Sequence, residues 1–294
     1  VRFQGCGTAL VTPFRPDLSL DEETFRALVR RQIEAGIHFL VPCGTTGENP
    51  TLEPDEHHRV VEIALEEAKG KLPVLAGCGG YHTGEVVALA REMEALGVDG
   101  LLSVTPYYNK PSQEGLYQHF LAIANAVELP IVVYNVPGRA GVNVEPATLR
   151  RLAEIDNIVG VKEASGNIAQ IANLCATLPP DFAVLSGDDA ITLAVAGLGG
   201  RGVISVASNV IPAVMAALAQ ACLDGRFEDA RALQRKWLPL MEVNFVESNP
   251  IPVKWAMARM GLLSPVYRLP MLPPSQASRE RIEQTLIESG LFSN

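Results

Sequence analysis

The chain has 294 residues, 48% of them hydrophobic, and its 33 Asp and Glu outnumber its 24 Lys and Arg to give a formal charge of −9. That composition describes a globular protein with a sizeable core, and an acidic balance without any basic stretch argues against a nucleic-acid partner. No apolar run is long enough to span a bilayer, and Cys6, Cys43, Cys78, Cys175 and Cys222 form no CxxC pair.

Scattered cysteines of this kind are expected to be free thiols in a reducing compartment rather than a disulfide frame or a zinc knot. The first residues carry no signal-peptide pattern, and the cysteine usage favours a reducing cytoplasm.

Apolar strand patterns and amphipathic helix patterns then alternate along the chain. A strand over 8–11 leads to a helix over 21–35, with Asp21 as N-cap and Gly36 closing it. A strand over 39–41 is followed by a helix over 54–68, and a strand over 73–77 by a helix over 84–96. The next pairs are 100–104 with 112–126, and 131–135 with 145–153. The sixth strand, from Ile158, is β-branched and ends at Lys162, with Glu163-Ala164-Ser165-Gly166 turning into a helix over 167–176. The last pairs are 183–187 with 190–196, and 202–206 with 211–222.

Eight such units in about 220 residues match a (β/α)8 TIM barrel better than an open doubly wound sheet, which usually has fewer. The remainder reads as three helices over 227–246, 252–260 and 278–289, separated by Pro- and Gly-bearing turns. The fold class is therefore α/β, with residues 1–223 assigned to the barrel and 224–294 to a helical appendage.

Barrel chemistry sits where strands end. Lys162 stands there, facing an apolar interior that disfavours its charged form, and a neutral amine can attack a ketone. Taken alone, the position is explained more simply by an ion-paired or snorkelling lysine. After the second strand, Gly44-Thr45-Thr46-Gly47-Glu48 offers hydroxyls and backbone N–H groups to a carboxylate, or is an ordinary Gly/Thr turn. After the fourth, Tyr107-Tyr108 stand between Pro106 and Pro111. A phenol there can relay protons, although packing is the commoner use. After the fifth, Tyr134 should point into the barrel mouth beside Lys162, and Arg139 on a Pro-Gly-Arg turn suits a second carboxylate or is a surface arginine.

Other groups fit chemistry less well. Asp188-Asp189 reads as an N-cap pair, His57-His58 lacks HExxH spacing, and Gly199-Gly200-Arg201-Gly202 lies at the barrel bottom. The strand ends assemble no His and carboxylate set for a metal.

These segments resemble the dihydrodipicolinate synthase/N-acetylneuraminate lyase family of class I aldolases. The resemblance covers nearly the whole chain. It is carried by Gly44-Thr45-Thr46-Gly47-Glu48, Val104 to Pro111 with Gln113-Glu114-Gly115, Tyr134 to Arg139, Gly160-Val161-Lys162-Glu163-Ala164, and Gly202-Val203-Ile204-Ser205-Val206. It implies that Lys162 forms a Schiff base with pyruvate. Thr45 and Thr46 would hold the pyruvate carboxylate and link a proton relay, and Tyr134 would shuttle protons. Tyr108 would enter the site of a neighbouring subunit. Arg139 would bind the carboxylate of L-aspartate 4-semialdehyde, and Gly187 and Ile204 would line the pyruvate pocket.

The resemblance further implies no metal or organic cofactor, lysine and diaminopimelate synthesis in the cytoplasm, and a homotetramer built as a dimer of dimers. A sibling aldolase acting on a sugar acid stays open, although Arg139 and the doubled tyrosine match the synthase pattern. A silent keto-acid-binding barrel is the reading of a different class. Lysine-inhibited members bind lysine in a cleft at the dimer interface. Asn49, His57, Tyr81, Glu85 and Tyr107 occupy the matching positions. Tyr81 stands where sensitive members have Asn, and Pro54 replaces a polar or aromatic residue, so weak or absent lysine inhibition is expected.

Overall fold

The computed structural model describes residues 3–292. Eight strands, β1 (Gly5–Ala9), β2 (Phe39–Val41), β3 (Leu75–Gly77), β4 (Gly100–Val104), β5 (Ile131–Asn135), β6 (Ile158–Glu163), β7 (Ala183–Ser186) and β8 (Gly202–Ser205), pair in parallel in the order β2-β1-β8-β7-β6-β5-β4-β3. A single parallel bridge, Leu40 to Val74, joins the two ends and closes the barrel.

Side-chain alternation builds two apolar layers. Along β5, Val132 and Tyr134 enter the barrel interior with Phe39, Leu75, Leu102, Leu185 and Ile204. Ile131 and Val133 face the surrounding helices instead. Those helices are α1 (Glu22–Glu34), α2 (Pro54–Ala68), α3 (Thr83–Leu96), α4 (Gln113–Ala124), the one-turn α5 (Pro137–Ala140), α6 (Pro146–Leu152), α7 (Ile168–Thr177), α8 (Thr192–Gly197) and α9 (Pro212–Leu223). The N-cap expected at Asp21 is present, and α4 and α7 are capped in the same way. Asp21, Ser112 and Asn167 each accept a backbone N–H of the first turn.

The tail forms α10 (Phe227–Val243), α11 (Ile251–Arg259) and α12 (Gln276–Glu288). Trp237, Met257 and Leu286 from these helices share one core with Cys6, Val203 and Met215 of the barrel. A fully buried ion pair reinforces the junction: Lys254 of α11 bonds Glu48 and donates to the Thr12 carbonyl at 3.1 Å. Losing one partner of such a pair costs about 3–5 kcal/mol, because the other charge stays buried alone.

Several element ends differ from the sequence reading. The first strand is Gly5–Ala9 rather than 8–11, because it pairs with β8 from Gly5 opposite Gly202. β6 continues through Glu163, which pairs with Asn135 and Ser186, so the turn after Lys162 begins one residue later. Arg139 lies on α5 rather than on a turn, since Pro137 at the first position and Gly141 at φ 72° fit a one-turn helix. The helix of the seventh unit is entered through a 3₁₀ turn, Asp189–Ile191, before α8. α10 stops at Val243, which frees 244–250 to cross toward the barrel mouth.

Candidate active site

Tyr134 and Lys162 face each other across the β5–β6 ladder. Both are buried, and the Lys162 Nζ lies 4.1 Å from the centroid of the Tyr134 ring. A cavity of about 140 Å³ opens above them, lined by Thr45, Thr46, Tyr134, Arg139, Lys162 and Gly187 among others. Gly187 is required there by space, since a Cβ would sit 2.6 Å from the Ala164 Cβ. Ile204 lies on β8 in the interior packing with Tyr134 and is not among the cavity-lining residues.

The Gly44–Glu48 turn supplies the polar wall. Its Gly47 and Glu48 N–H groups close the turn onto Gly44 and Thr45 carbonyls. The Thr45 and Thr46 N–H groups meet no acceptor among the described residues, which suits an incoming carboxylate. Thr46 Oγ1 accepts a 2.9 Å hydrogen bond from Asn249 Nδ2. Glu48 points away, to Lys254, and anchors the turn from behind in a left-handed conformation at φ 56°.

Arg139 is exposed at the rim, and its Nη2 donates to the Asn249 carbonyl at 3.3 Å. A second cavity of about 200 Å³ adjoins the first, sharing Thr45, Tyr134 and Arg139 and adding Asn49 and Tyr107. Tyr81 packs edge-on against Tyr107 at 5.2 Å between centroids. Burial, with Tyr81 and Glu85 nearby, pushes the Tyr107 hydroxyl up from its usual range. Tyr108 turns the other way: it is 89% exposed, at φ 70°.

His57 does not face this cavity. It sits on the buried side of α2 with Val60, Val61 and Ala64, and its Nε2 bonds the Gly77 carbonyl at 3.0 Å. Burial holds its pKa below the usual imidazole value. The Asp188-Asp189 pair also divides its roles. Asp188 caps the 3₁₀ turn, while Asp189 is buried and accepts the Val206 and Ala207 N–H groups at 3.0 and 2.8 Å. Among the described residues, no group of three or more His, Cys, Asp and Glu could hold a metal ion.

A family model described as the dihydrodipicolinate synthetase family matches residues 2–289. The chain belongs to this family. A 4-hydroxy-tetrahydrodipicolinate synthase from Koribacter versatilis is 52% identical, with the alignment covering 100% of this chain and 98% of that one. The crystal structure of a dihydrodipicolinate synthase from Thermotoga maritima superposes with a TM-score of 0.97 at 47% identity, covering 99% of this chain and 100% of that one. A monomeric dihydrodipicolinate synthase variant superposes equally well, at 46% identity over 99% of this chain and 98% of that one.

Residues that the motif reading passed over also shape this cavity. Asn249 reaches Thr46 and Arg139, and Phe245 lines the mouth. A local signal existed in Asn249-Pro250-Ile251-Pro252-Val253-Lys254, where a lysine interrupts an apolar helix start. Such a lysine asks for a buried partner.

Proposed function

We propose that Lys162 carries pyruvate as an imine and that the residues around it divide the remaining work. The reaction is the condensation of pyruvate with L-aspartate 4-semialdehyde to 4-hydroxy-tetrahydrodipicolinate, in diaminopimelate and lysine synthesis. The observation that supports the lysine's role is its burial at a strand end, against Tyr134 and under a cavity walled by Thr45, Thr46 and Arg139.

The Lys162 amine attacks the ketone and water leaves. The imine withdraws electrons, so the methyl group loses a proton to give an enamine. That carbon attacks the aldehyde. The substrate amine then displaces Lys162 by transimination and closes the ring. The lysine imine is the electron sink, so the scheme uses no metal or organic cofactor.

Thr45 and Thr46 receive the pyruvate carboxylate, Tyr134 moves the protons, and Arg139 takes the semialdehyde carboxylate. Gly187 completes the pyruvate end through its backbone, with Ile204 in the interior packing beside Tyr134. Tyr108, with its ring in solvent, completes the Thr45–Tyr134 relay of a second copy. In this reading, residues 1–223 form the catalytic barrel and 224–294 an appendage that lends Asn249. The working form is a homotetramer, a dimer of dimers, in the cytoplasm. Asn49, Tyr81, Glu85 and Tyr107 mark a lysine effector cleft, with His57 buried behind it, and Tyr81 packs against Tyr107 there.

The test is turnover of pyruvate with aspartate semialdehyde against a panel of sugar aldehydes. Faster turnover of a sugar aldehyde would move the chain to the sibling aldolases. Pyruvate binding without turnover of any aldehyde would leave a keto-acid binder.

A further inference from the structure

Behind Tyr134 and Lys162, on the far side of the sheet, lies a second pair. Asn135 and Glu163 are the next residues on β5 and β6 and are opposite each other in the ladder. Successive strand residues point to opposite faces, so this pair faces the helices, and both residues are 0% exposed. Neither lines the cavity.

Glu163 forms no ion pair among the described residues. A buried carboxylate without a cation is costly, and an apolar side chain would pack there more cheaply. What the carboxylate provides is geometry. Its Oε1 accepts the Ser165 N–H at 2.7 Å, in the loop after β6. Its Oε2 accepts Asn135 Nδ2 at 2.9 Å and Gln170 Nε2 of α7 at 3.3 Å.

Asn135 carries the connection onward. Its Oδ1 accepts the Val144 N–H at 3.0 Å, which cinches residues 136–143 at their base. Arg139 rides on that loop. Asn143, the loop's last residue, is held by Asn135 Nδ2 at 2.8 Å and by Gln170, and Gln113 Nε2 takes its carbonyl at 2.7 Å. One hydrogen-bonded network therefore runs from the strand end bearing Lys162, through the strand end bearing Tyr134, to the loop bearing Arg139.

We propose that Glu163 and Asn135 are positioning residues, which lock the ends of β5 and β6 and the 136–143 loop so that Tyr134 and Arg139 keep a fixed geometry over Lys162. The proposal rests on the imine reading given above. A network satisfied on every side rigidifies what it joins, and a displacement of about 1 Å in a reacting group can cost on the order of 100-fold in rate.

The test uses Glu163→Gln, Asn135→Ala and the milder Asn135→Ser in the full chain, with active sites counted by borohydride trapping of pyruvate. The expected result is trapping at Lys162 in each folded variant, with kcat/KM for the semialdehyde per trapped site reduced about 10- to 100-fold. Asn135→Ala should act mainly through the KM of the semialdehyde, because Arg139's loop loses its base, and Asn135→Ser should be intermediate. KM for pyruvate should change little. Variants with lower thermal stability or fewer trapped sites, but with unchanged kcat and unchanged KM for both substrates per trapped site, would overturn the proposal. Failure of trapping in the unsubstituted chain would overturn the imine reading and this proposal with it, and shows before any variant is made.

Discussion

The Nζ of Lys162 lies 4.1 Å from the centre of the Tyr134 ring, with the two residues paired across β5 and β6. The phenol and the amine are thus set by one backbone ladder rather than by flexible loops. Sites built on strands hold their geometry more tightly than sites built on loops. The covalent chemistry should follow from that placement.

Pyruvate with borohydride should add one pyruvyl unit, mapped to Lys162. Lys162→Ala should not be labelled, and Lys162→Arg should be nearly inactive, because a guanidinium stays protonated and forms no imine. Peptide mapping by mass spectrometry decides it: labelling at another lysine would refute the assignment.

Among the described residues Arg139 makes a single bond, to the Asn249 carbonyl, which leaves most of its fork for substrate. Removing a charge-assisted carboxylate contact costs roughly 2–4 kcal/mol, or about 30- to 1,000-fold. Arg139→Ala should therefore lose that factor in kcat/KM for the semialdehyde and far less for pyruvate. Equal losses for both substrates would point to a collapsed 136–143 loop instead.

Tyr108 has its ring in solvent. Inactive Tyr108→Phe mixed with inactive Lys162→Ala should regain activity once subunits exchange, because one site in each hybrid dimer recovers both groups. Exchange demonstrated by native mass spectrometry with no return of activity would count against a relay shared between copies.

Asp189 gives a pH-dependent signature. Burial pushes its carboxyl up from the ordinary 3.8 to about 6. Between those values the folded chain holds a proton that the unfolded chain releases. Its stabilising contribution is therefore full below 3.8 and is lost as the pH rises through about 6. One oxygen, Oδ2, accepts both N–H groups, so an amide oxygen can replace it. Asp189→Asn should thus raise stability above pH 6 by on the order of 1–3 kcal/mol and change it little in acid. Urea unfolding at pH 7.5 and 4.5 measures the difference, and an equal effect at both would show the assignment to be wrong.

L-Lysine at millimolar concentration should inhibit weakly or not at all. Tyr81 is packed edge-on against Tyr107, and a phenol offers one hydroxyl where Asn offers an amide. Losing one or two contacts of about 1–3 kcal/mol each weakens binding at least tenfold. Glu85 is the opposing feature, since it can still pair with an ammonium. Full inhibition well below millimolar lysine would contradict the expectation.

The barrel was legible because its signal is local. A short apolar run followed by an amphipathic stretch repeats eight times, and α2, β2, β4 and β5 begin and end where their patterns do. The placement of Thr45, Tyr134 and Lys162 at one mouth follows from that repeat, since every strand of a parallel barrel ends on the same side. Boundaries slipped where pairing rather than pattern sets the end, as at β1 and at Glu163.

The sequence by itself determined which residues could do chemistry and on which strand ends they stand, because side-chain alternation and turn residues act over a few positions. Only the tertiary structure decided what holds those residues in place. Asn249 meets Thr46 across 203 positions, Lys254 meets Glu48 across 206, and Glu163 meets Asn135 across 28. None of these contacts leaves a periodicity to read. Each exists because a buried polar group must find its partner wherever the closed barrel and the returning C-terminal helices bring one.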